Sequence, residues 1–406
     1  MKKLLVRLQY VWKLISLLLL TVITYVYAMF QGGFVSWFLF YSFLPFACYS
    51  LLLALYPLRS FKVTRTISQE QFRAGEELKA SITIRRKFPF PLIYLIAEET
   101  LPRRIVHLNG TDSARRILFP WFKRTVTMEY TLSHMPRGEH QFESVRLKTG
   151  DFFGLFEKEY SFSLFRDFLV YPSFVAIPYH SPLKRYEQGN TQSNQKFIRD
   201  TSMAIGVREY QPGDRVSWID WKASARRNTM MTKEFEQTRS HDVYLIMDRM
   251  KSNVFEEIVV FTASTIRSVL KNGAQAGLVS YGKEQAVFSL HSGEQQLLKI
   301  YDHLARVDCD SPASLSDIIE QGWNQYDGKK ALKILITGQV NLELVRKLEH
   351  RENGHLFKIF LIKDRGSKVT NEEKVILERL NKRGIEADAV FEGRFEEAFT
   401  GVRNSL

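Results

Sequence analysis

A chain of 406 residues with 45% hydrophobic and 25% charged positions is too apolar to be disordered and too long for one small module, so two or three folded domains are expected. Its 57 Lys and Arg against 44 Asp and Glu leave a net charge of +13, but no long basic run with regularly spaced aromatics carries that excess, which argues against nucleic-acid binding. Cys48 and Cys309, the two cysteines, are far apart; they exclude a disulfide framework and a cysteine-built zinc site and favour a reducing compartment.

Leu14 to Phe30 is an uncharged apolar run of spanning length, Gln31-Gly32-Gly33 breaks it, and Phe34 to Tyr56 is a second, aromatic-rich run. No small-residue cleavage site follows the first run and a second span comes three residues later, so two membrane helices are expected rather than a signal peptide. Lys2, Lys3, Arg7 and Lys13 precede the pair, and Arg59, Lys62 and Arg65 follow it. The positive-inside rule then puts both ends and the soluble body in the cytoplasm, with the basic flanks against anionic membrane lipid. Residues 1–58 thus read as a two-helix anchor of a multi-pass membrane protein.

Residues 59–180 change to period two. Leu78, Ala80, Ile82 and Ile84 alternate with polar residues, and Val126, Met128, Tyr130 and Leu132 repeat the pattern. Strands at this spacing, with turns at Gly75 and Pro136-Arg137-Gly138, predict an antiparallel β-sandwich of immunoglobulin-like type. Gly150-Asp151-Phe152-Phe153-Gly154-Leu155-Phe156 reads as a tight bend whose aromatics plug a core. Pro178 to Asp200 is polar and linker-like, and residues 181–206 are assigned to that linker.

Residues 207–237 interleave acids, bases and large aromatics with no apolar face: Arg208, Glu209, Tyr210, Asp214, Trp218, Asp220, Trp221, Lys222, Arg226, Lys233 and Glu234. Charges removed from water must find partners, so a partly buried ion-pair network is expected here, serving either as a clasp or as a ligand or partner site. Gln211-Pro212-Gly213-Asp214 is a turn signal, and Asp214 is then a suitable N-cap for a helix from Arg215 to Arg227 that carries Trp218, Trp221 and Ala225 on one face. Met230 to Gln237 reads as a strand.

This segment resembles the signature of a large bacterial family, domain-of-unknown-function family number fifty-eight. The resemblance rests on Arg208-Glu209-Tyr210, Pro212-Gly213-Asp214, Ile219 to Arg226, and Glu234-Phe235-Glu236. The 150–156 segment is similar to a further family motif, with Phe152 where proline is usual.

Residues 238–406 alternate strands and helices: strands at His241 to Met247, Ala276 to Tyr281, Ala286 to Leu290, Ala331 to Thr337, Phe357 to Lys363 and Glu386 to Phe391, with helices at Val254 to Lys271, Glu294 to Arg306, Leu315 to Trp323, Leu342 to His350 and Glu372 to Arg383. Apolar strands with helical crossovers predict an α/β doubly wound sheet covered on both faces. The family resemblance implies that it is von Willebrand factor A-like. In such domains an Asp-x-Ser-x-Ser loop, with a Thr and an Asp from later loops, holds magnesium. Here the first loop is Asp248-Arg249-Met250-Lys251-Ser252, the second offers Ser311 and Ser314, and the third is Thr337-Gly338. Met250 brings a thioether where magnesium needs oxygen. A degenerate site is therefore expected, with Asp248, Ser252 and Ser314 as remaining ligands for Mg, or with Asp248 paired to Arg249, Lys251 or a signature arginine.

There is no G-x-S-x-G elbow, P-loop, H-E-x-x-H or meaningfully spaced Cys–His pair. The multidomain reading is a membrane-anchored, non-catalytic adaptor or assembly factor without a cofactor, whose interaction surface is the signature and the sheet top near Asp248. The resemblance implies partners, a MoxR-type AAA ATPase and a transglutaminase-like membrane protein. The alternatives are a hydrolase using Asp214, Asp220, Glu234 and Lys222, or binding of an acidic polymer.

Overall fold

The computed structural model describes residues 2–179, 204–211, 214, 216–235, 242–312, 316, 331–349 and 357–399. They fall into two compact units, one of Met1–Ser173 with Asp302–Val307, the other of Phe174–Tyr301 with Asp308–Leu406.

The first unit starts with a helical hairpin, α1 (Lys2–Gln31) and α2 (Phe34–Leu55). Gly32 sits at φ +62°, a left-handed turn that glycine accepts without strain. Tyr25 packs on Trp37 and Phe40 across the hairpin, with ring centroids 6.5 and 5.5 Å apart. Trp12–Gln31 and Phe34–Leu55 are each long and apolar enough to cross a membrane. Only 11% and 28% of those windows is buried, so their apolar faces are not spent on a protein core.

Next come β1 (Lys62–Ile67), β2 (Phe72–Arg73), β3 (Leu78–Arg85), β4 (Leu95–Glu99), α3 (Arg103–Asn109), β5 (Arg115–Leu118), β6 (Thr125–Leu132), β7 (Gly138–Gly150) and β8 (Glu157–Tyr171). One sheet runs β1-β3-β6 and the other β2-β8-β7-β4-β5. Most of the alternating residues named from the sequence are buried: Leu78, Ala80, Ile82 and Ile84 from β3 and Met128, Tyr130 and Leu132 from β6 join Val145 and Leu147 in a core to which both sheets contribute, while Val126 is half-buried. A charged pair lies within it. Arg65 pairs with Glu99, both side chains almost wholly buried. Tyr130 donates its hydroxyl to Glu99, Arg65 Nη1 donates to the Leu164 carbonyl at 2.7 Å, and the guanidinium lies 5.1 Å from the Phe142 ring centroid.

The core-plug reading of the 150–156 segment needs correction. Phe156 is buried, and it packs against Leu17, Ala47 and Ala54 of the helical hairpin. Phe152, Phe153 and Leu155 are exposed. The reason is the bend itself: Asp151 Oδ1 accepts the Phe156 N–H at 3.0 Å and the Asp151 carbonyl accepts the Gly154 N–H at 3.3 Å, turning the intervening aromatics outward.

In the second unit, residues 174–179 lie along the helix α5 (Phe255–Lys271). Ser264 Oγ accepts the Val175 N–H at 2.9 Å, Ser268 Oγ donates to the Ile177 carbonyl at 2.5 Å, and Arg267 stacks 4.2 Å over Phe174. The start of the expected linker is fastened at Tyr179, whose N–H donates to Ser268 Oγ at 3.3 Å, and 180–203 lie outside the described residues.

A small antiparallel pair, β9 (Ala204–Glu209) and β10 (Met231–Phe235), encloses α4 (Trp221–Arg227). The main sheet is six-stranded: β11 (Val243–Asp248), β12 (Ala276–Tyr281), β13 (Gln285–His291), β14 (Leu332–Thr337), β15 (Phe357–Lys363) and β16 (Glu386–Phe391), in the order β13-β12-β11-β14-β15-β16. All neighbours are parallel except β13, an antiparallel edge. Helices α6 (Glu294–Arg306), α7 (Leu342–Glu349) and α8 (Asn371–Lys382) complete it. Leu344, Leu348, Ile376 and Leu380 of α7 and α8 cover the face carrying Tyr244, Ile246, Leu335 and Ile359. Phe261 of α5 meets Phe360 at 5.0 Å on the opposite face. β11, β14 and β15 are buried on both faces, which is why they read as continuous apolar runs. Of the expected Leu315–Trp323 helix, only Ser316 is among the described residues.

Candidate functional site

In this sheet the strand order reverses between β11 and β14, and open α/β sheets bind ligands at the carboxyl ends of strands beside such a reversal. Asp248 ends β11 and Thr337 ends β14, so the backbone alone brings them together. Asp248 is 3% exposed. Its Oδ1 accepts the Met250 N–H at 2.9 Å, and its Oδ2 lies 2.7 Å from the Thr337 hydroxyl. That hydroxyl is also 2.8 Å from the Gln339 carbonyl and accepts the Gln339 N–H at 3.1 Å. One hydroxyl proton faces two acceptors. Burial pushes the Asp248 carboxyl above the ordinary carboxylate range, opposed by the Met250 and Thr337 hydrogen bonds.

The expected pairing of Asp248 with a cation is not what the structure holds. Arg249, itself buried, points away and staples two other loops: Nη2 meets Asp310 Oδ1 at 2.5 Å, Nε donates to the Asp308 carbonyl at 3.1 Å and Nη1 to the Glu284 carbonyl at 3.3 Å. The Ser311 N–H returns to the Arg249 carbonyl at 3.1 Å. A Cβ at Gly282 would collide with the guanidinium and with Asp310. The staple went unread in the sequence because Asp308 and Asp310 lie about sixty residues downstream; the acidic repeat Asp308-Cys309-Asp310 was the available signal. Ser252 stands nearby, its Oγ accepting the Val254 N–H at 3.3 Å. A Cβ at Gly338 would come within 2.7 Å of Ser252 Oγ and 2.8 Å of Val254 Cγ2, so position 338 has no room for a carboxylate. Ser314 lies outside the described residues. Among the described residues no group of three or more His, Cys, Asp or Glu converges.

The signature segment differs from its reading in two respects. First, Asp214 is not the N-cap of α4: it accepts the Gln211 N–H at 3.0 Å and pairs with Arg208 Nη2 at 2.7 Å, closing the turn. A short 3₁₀ turn, Val216–Trp218, follows, and α4 starts later, with Asp220 accepting the Ala223 N–H at 3.0 Å as its N-cap. α4 ends at Asn228, φ +54°, in the left-handed conformation asparagine tolerates. Ser224 Oγ accepts the Met231 N–H at 2.9 Å, and the Asp220 N–H donates to the Met231 carbonyl at 2.9 Å, which ties α4 to β10. Ile219 and Met231 are the buried anchors.

Second, the expected ion-pair network is largely a solvated surface. Arg208 and Asp214 are paired and half-buried, whereas Lys222, Arg226 and Arg227 are exposed on α4 with no ion pair among the described residues. Trp221 is 65% exposed beside them, and Val216 and Met230 are exposed too. Among the described residues no second layer covers the outer face of this two-turn helix, so the face expected to pack Trp218, Trp221 and Ala225 leaves Trp221 and Ala225 in solvent. Tyr210 and Trp218 are half-buried; the side chain of Glu234 lies outside the described residues.

The family model described as "Protein of unknown function DUF58" matches residues 206–382, from the signature through α8. A curated relative, "Uncharacterized protein YeaD" of Bacillus subtilis (strain 168), is 45% identical over 386 residues, covering 95% of this chain and 96% of its own. The chain belongs to the DUF58 family. Among solved structures, Cwp6 from Clostridium difficile is 9% identical, covers 83% of this chain and 38% of that one, and superposes with a TM-score of 0.16, a likeness that carries no argument. The DUF58 match contains both the Asp248–Thr337 junction and the exposed Trp221 helix.

Proposed function

We propose that this DUF58 protein is a membrane-anchored, non-catalytic adaptor or assembly factor. In this reading α1 and α2 cross the membrane with both ends cytoplasmic, the two sheets of the first unit form an immunoglobulin-like β-sandwich, and the six-stranded sheet is a degenerate von Willebrand factor A-like domain. The observation that carries the proposal is the exposed Trp221 set among Lys222, Arg226 and Arg227. Aromatic and arginine side chains of this kind supply the anchors of protein interfaces, and the partner they suit has an acidic rim around an apolar pocket. The family resemblance suggests a MoxR-type AAA ATPase as that partner and a transglutaminase-like membrane protein as a further one.

The carboxylates support this rather than hydrolysis. Asp214 is committed to Arg208 and the Gln211 N–H, and Asp220 to capping α4; neither stands ready as a general base. Magnesium does not suit the junction. Asp248 is enclosed, pushed toward its neutral form and engaged at both oxygens, and Gly338 leaves no space for a second carboxylate. Divalent cation is accordingly expected to leave the melting temperature unchanged; a magnesium-dependent rise abolished by Asp248→Ala would contradict this.

The test of the adaptor role is gentle detergent extraction of the tagged full-length protein from its own membranes, with and without ATP, followed by mass spectrometry. Nucleotide-dependent co-purification of an AAA ATPase supports the proposal. A retained metabolite with no protein partner would replace it with a catalytic reading.

A further inference from the structure

The first unit exposes more aromatic surface than a solvated β-domain needs, and that surface is continuous with α2. The 151–156 bend is one part. Phe152 and Phe153 are 68% and 55% exposed, and both rings contact Phe46 of α2, at centroid distances of 5.9 and 5.3 Å. The bend is locked in place by two buried contacts: Ser50 of α2 donates its hydroxyl to Asp151 Oδ2 at 2.8 Å, and Phe156 sits among Leu17, Ala47 and Ala54. Phe46 lies nine residues before α2 ends at Leu55, about 14 Å along the axis at 1.5 Å per residue. If α2 spans the bilayer, exposed phenylalanines beside Phe46 cannot be in water.

A second part adjoins the last turns of α2. Phe90 stacks on Tyr49 and Tyr56 at 5.6 and 5.0 Å, and the Tyr56 hydroxyl donates to the Phe88 carbonyl at 2.7 Å. Buried Arg86 ties this loop to the next, donating to the Phe90 carbonyl at 2.7 Å and to the Trp121 carbonyl at 2.9 Å. Phe88, Phe119, Trp121 and Phe122 are all exposed. Trp121 stands at φ +45°, a left-handed conformation costly for a bulky side chain, and is held there while its ring stays outside. Residues 85–94 and 119–124 contain no Asp or Glu, and Arg85, Lys87, Lys123 and Arg124 are exposed among the aromatics.

We propose that these loops form a membrane-dipping rim: the aromatics of 152–155 lie in lipid beside Phe46 of α2, those of 88 and 119–122 enter the lipid interface near the end of α2, and the adjoining bases bind anionic headgroups. The inference rests on α1 and α2 spanning the membrane. Aromatic rings at headgroup level and Lys or Arg at the surface are the pairing that interfacial segments use. The occupant is the same bilayer the hairpin crosses, because the rim is continuous with the lipid-exposed side of α2. The rim adds a second attachment to the anchor and holds the β-unit against the membrane.

The test uses the full chain with its native cysteines removed (Cys48→Ala, Cys309→Ser), in vesicles of phosphatidylcholine and phosphatidylglycerol with tail-brominated lipid. An environment-sensitive fluorophore is attached at Phe153→Cys, Phe122→Cys, Leu39→Cys on α2, or Asp112→Cys as the aqueous reference. The proposal expects loss of fluorescence at 153 and 122 comparable to that at 39, and none at 112. Quenching at 39 without quenching at 153 and 122 would overturn the rim while leaving the spanning helices standing. Absence of quenching at all positions would overturn both.

Discussion

Arg65 and Glu99 show what a buried ion pair demands. Inside the first unit's core Tyr130 donates to Glu99 and Arg65 donates to the Leu164 carbonyl, while Arg65 Nε is left without a hydrogen-bond partner among the described residues. Burial pushes Glu99 up, and the Tyr130 hydrogen bond and Arg65 oppose the shift. Arg65→Ala would leave an uncompensated buried carboxyl and is expected to destabilise by about 3–5 kcal/mol, read by chemical denaturation in detergent; a change near zero would show that the pair is not buried as described. Asp248 makes a pH prediction. Its folded pKa lies above its unfolded value near 3.8. Its contribution is therefore fullest below that unfolded value and is lost as pH rises through the folded pKa. Asp248→Asn escapes that loss, so its melting temperature relative to the native chain should improve as pH rises from about 3.8 through the folded pKa. A variant that fell progressively behind over the same range would mean that the carboxylate form is the one the fold wants.

At the scale of elements, short helices depend on their caps. Thr370 accepts the Glu373 N–H at 3.3 Å and Glu373 reaches back to the Thr370 N–H at 3.0 Å, a capping box that starts α8. Glu373 also meets Lys363 of β15 at 2.5 Å, so Thr370→Ala should cost about 1 kcal/mol through the cap alone. Asp220 does the same for α4, where Asp220→Ala should lower the stability of the signature by a similar amount, about 1 kcal/mol, without touching the main sheet. Hydrogen exchange would resolve this: faster exchange confined to α4 and β10 fits, and uniform acceleration would not. These two caps also show where sequence reading works and where it stops. The period-two run Leu78 to Ile84 and the apolar strands β11, β14 and β15 were legible because burial on one face or on both writes a period into the chain. The N-cap of α4 was misplaced by six residues because Asp214 and Asp220 offer the same chemistry. What separates them is that Arg208 claims the first and Ala223 the second, a distinction local composition does not encode.

For the whole molecule, the apolar helical hairpin was legible from length and apolarity, and the signature from its residue order. The destination of its charges was not. Interleaved acids, bases and tryptophans suggested burial, yet α4 is two turns long and presents Lys222, Arg226 and Arg227 to solvent; exposure is decided by what packs above an element. The same holds for Phe152 and Phe153, which read as core until the bend turned them out beside Phe46. The exposed face of α4 is proposed to capture a protein partner. The most direct measurement is nucleotide-dependent co-purification of the AAA ATPase with full-length Trp221→Ala and Arg226→Glu variants, alongside their melting temperatures. Native melting with at least about tenfold less bound ATPase is expected, the loss of one interface anchor. Native melting with undiminished ATPase would contradict it.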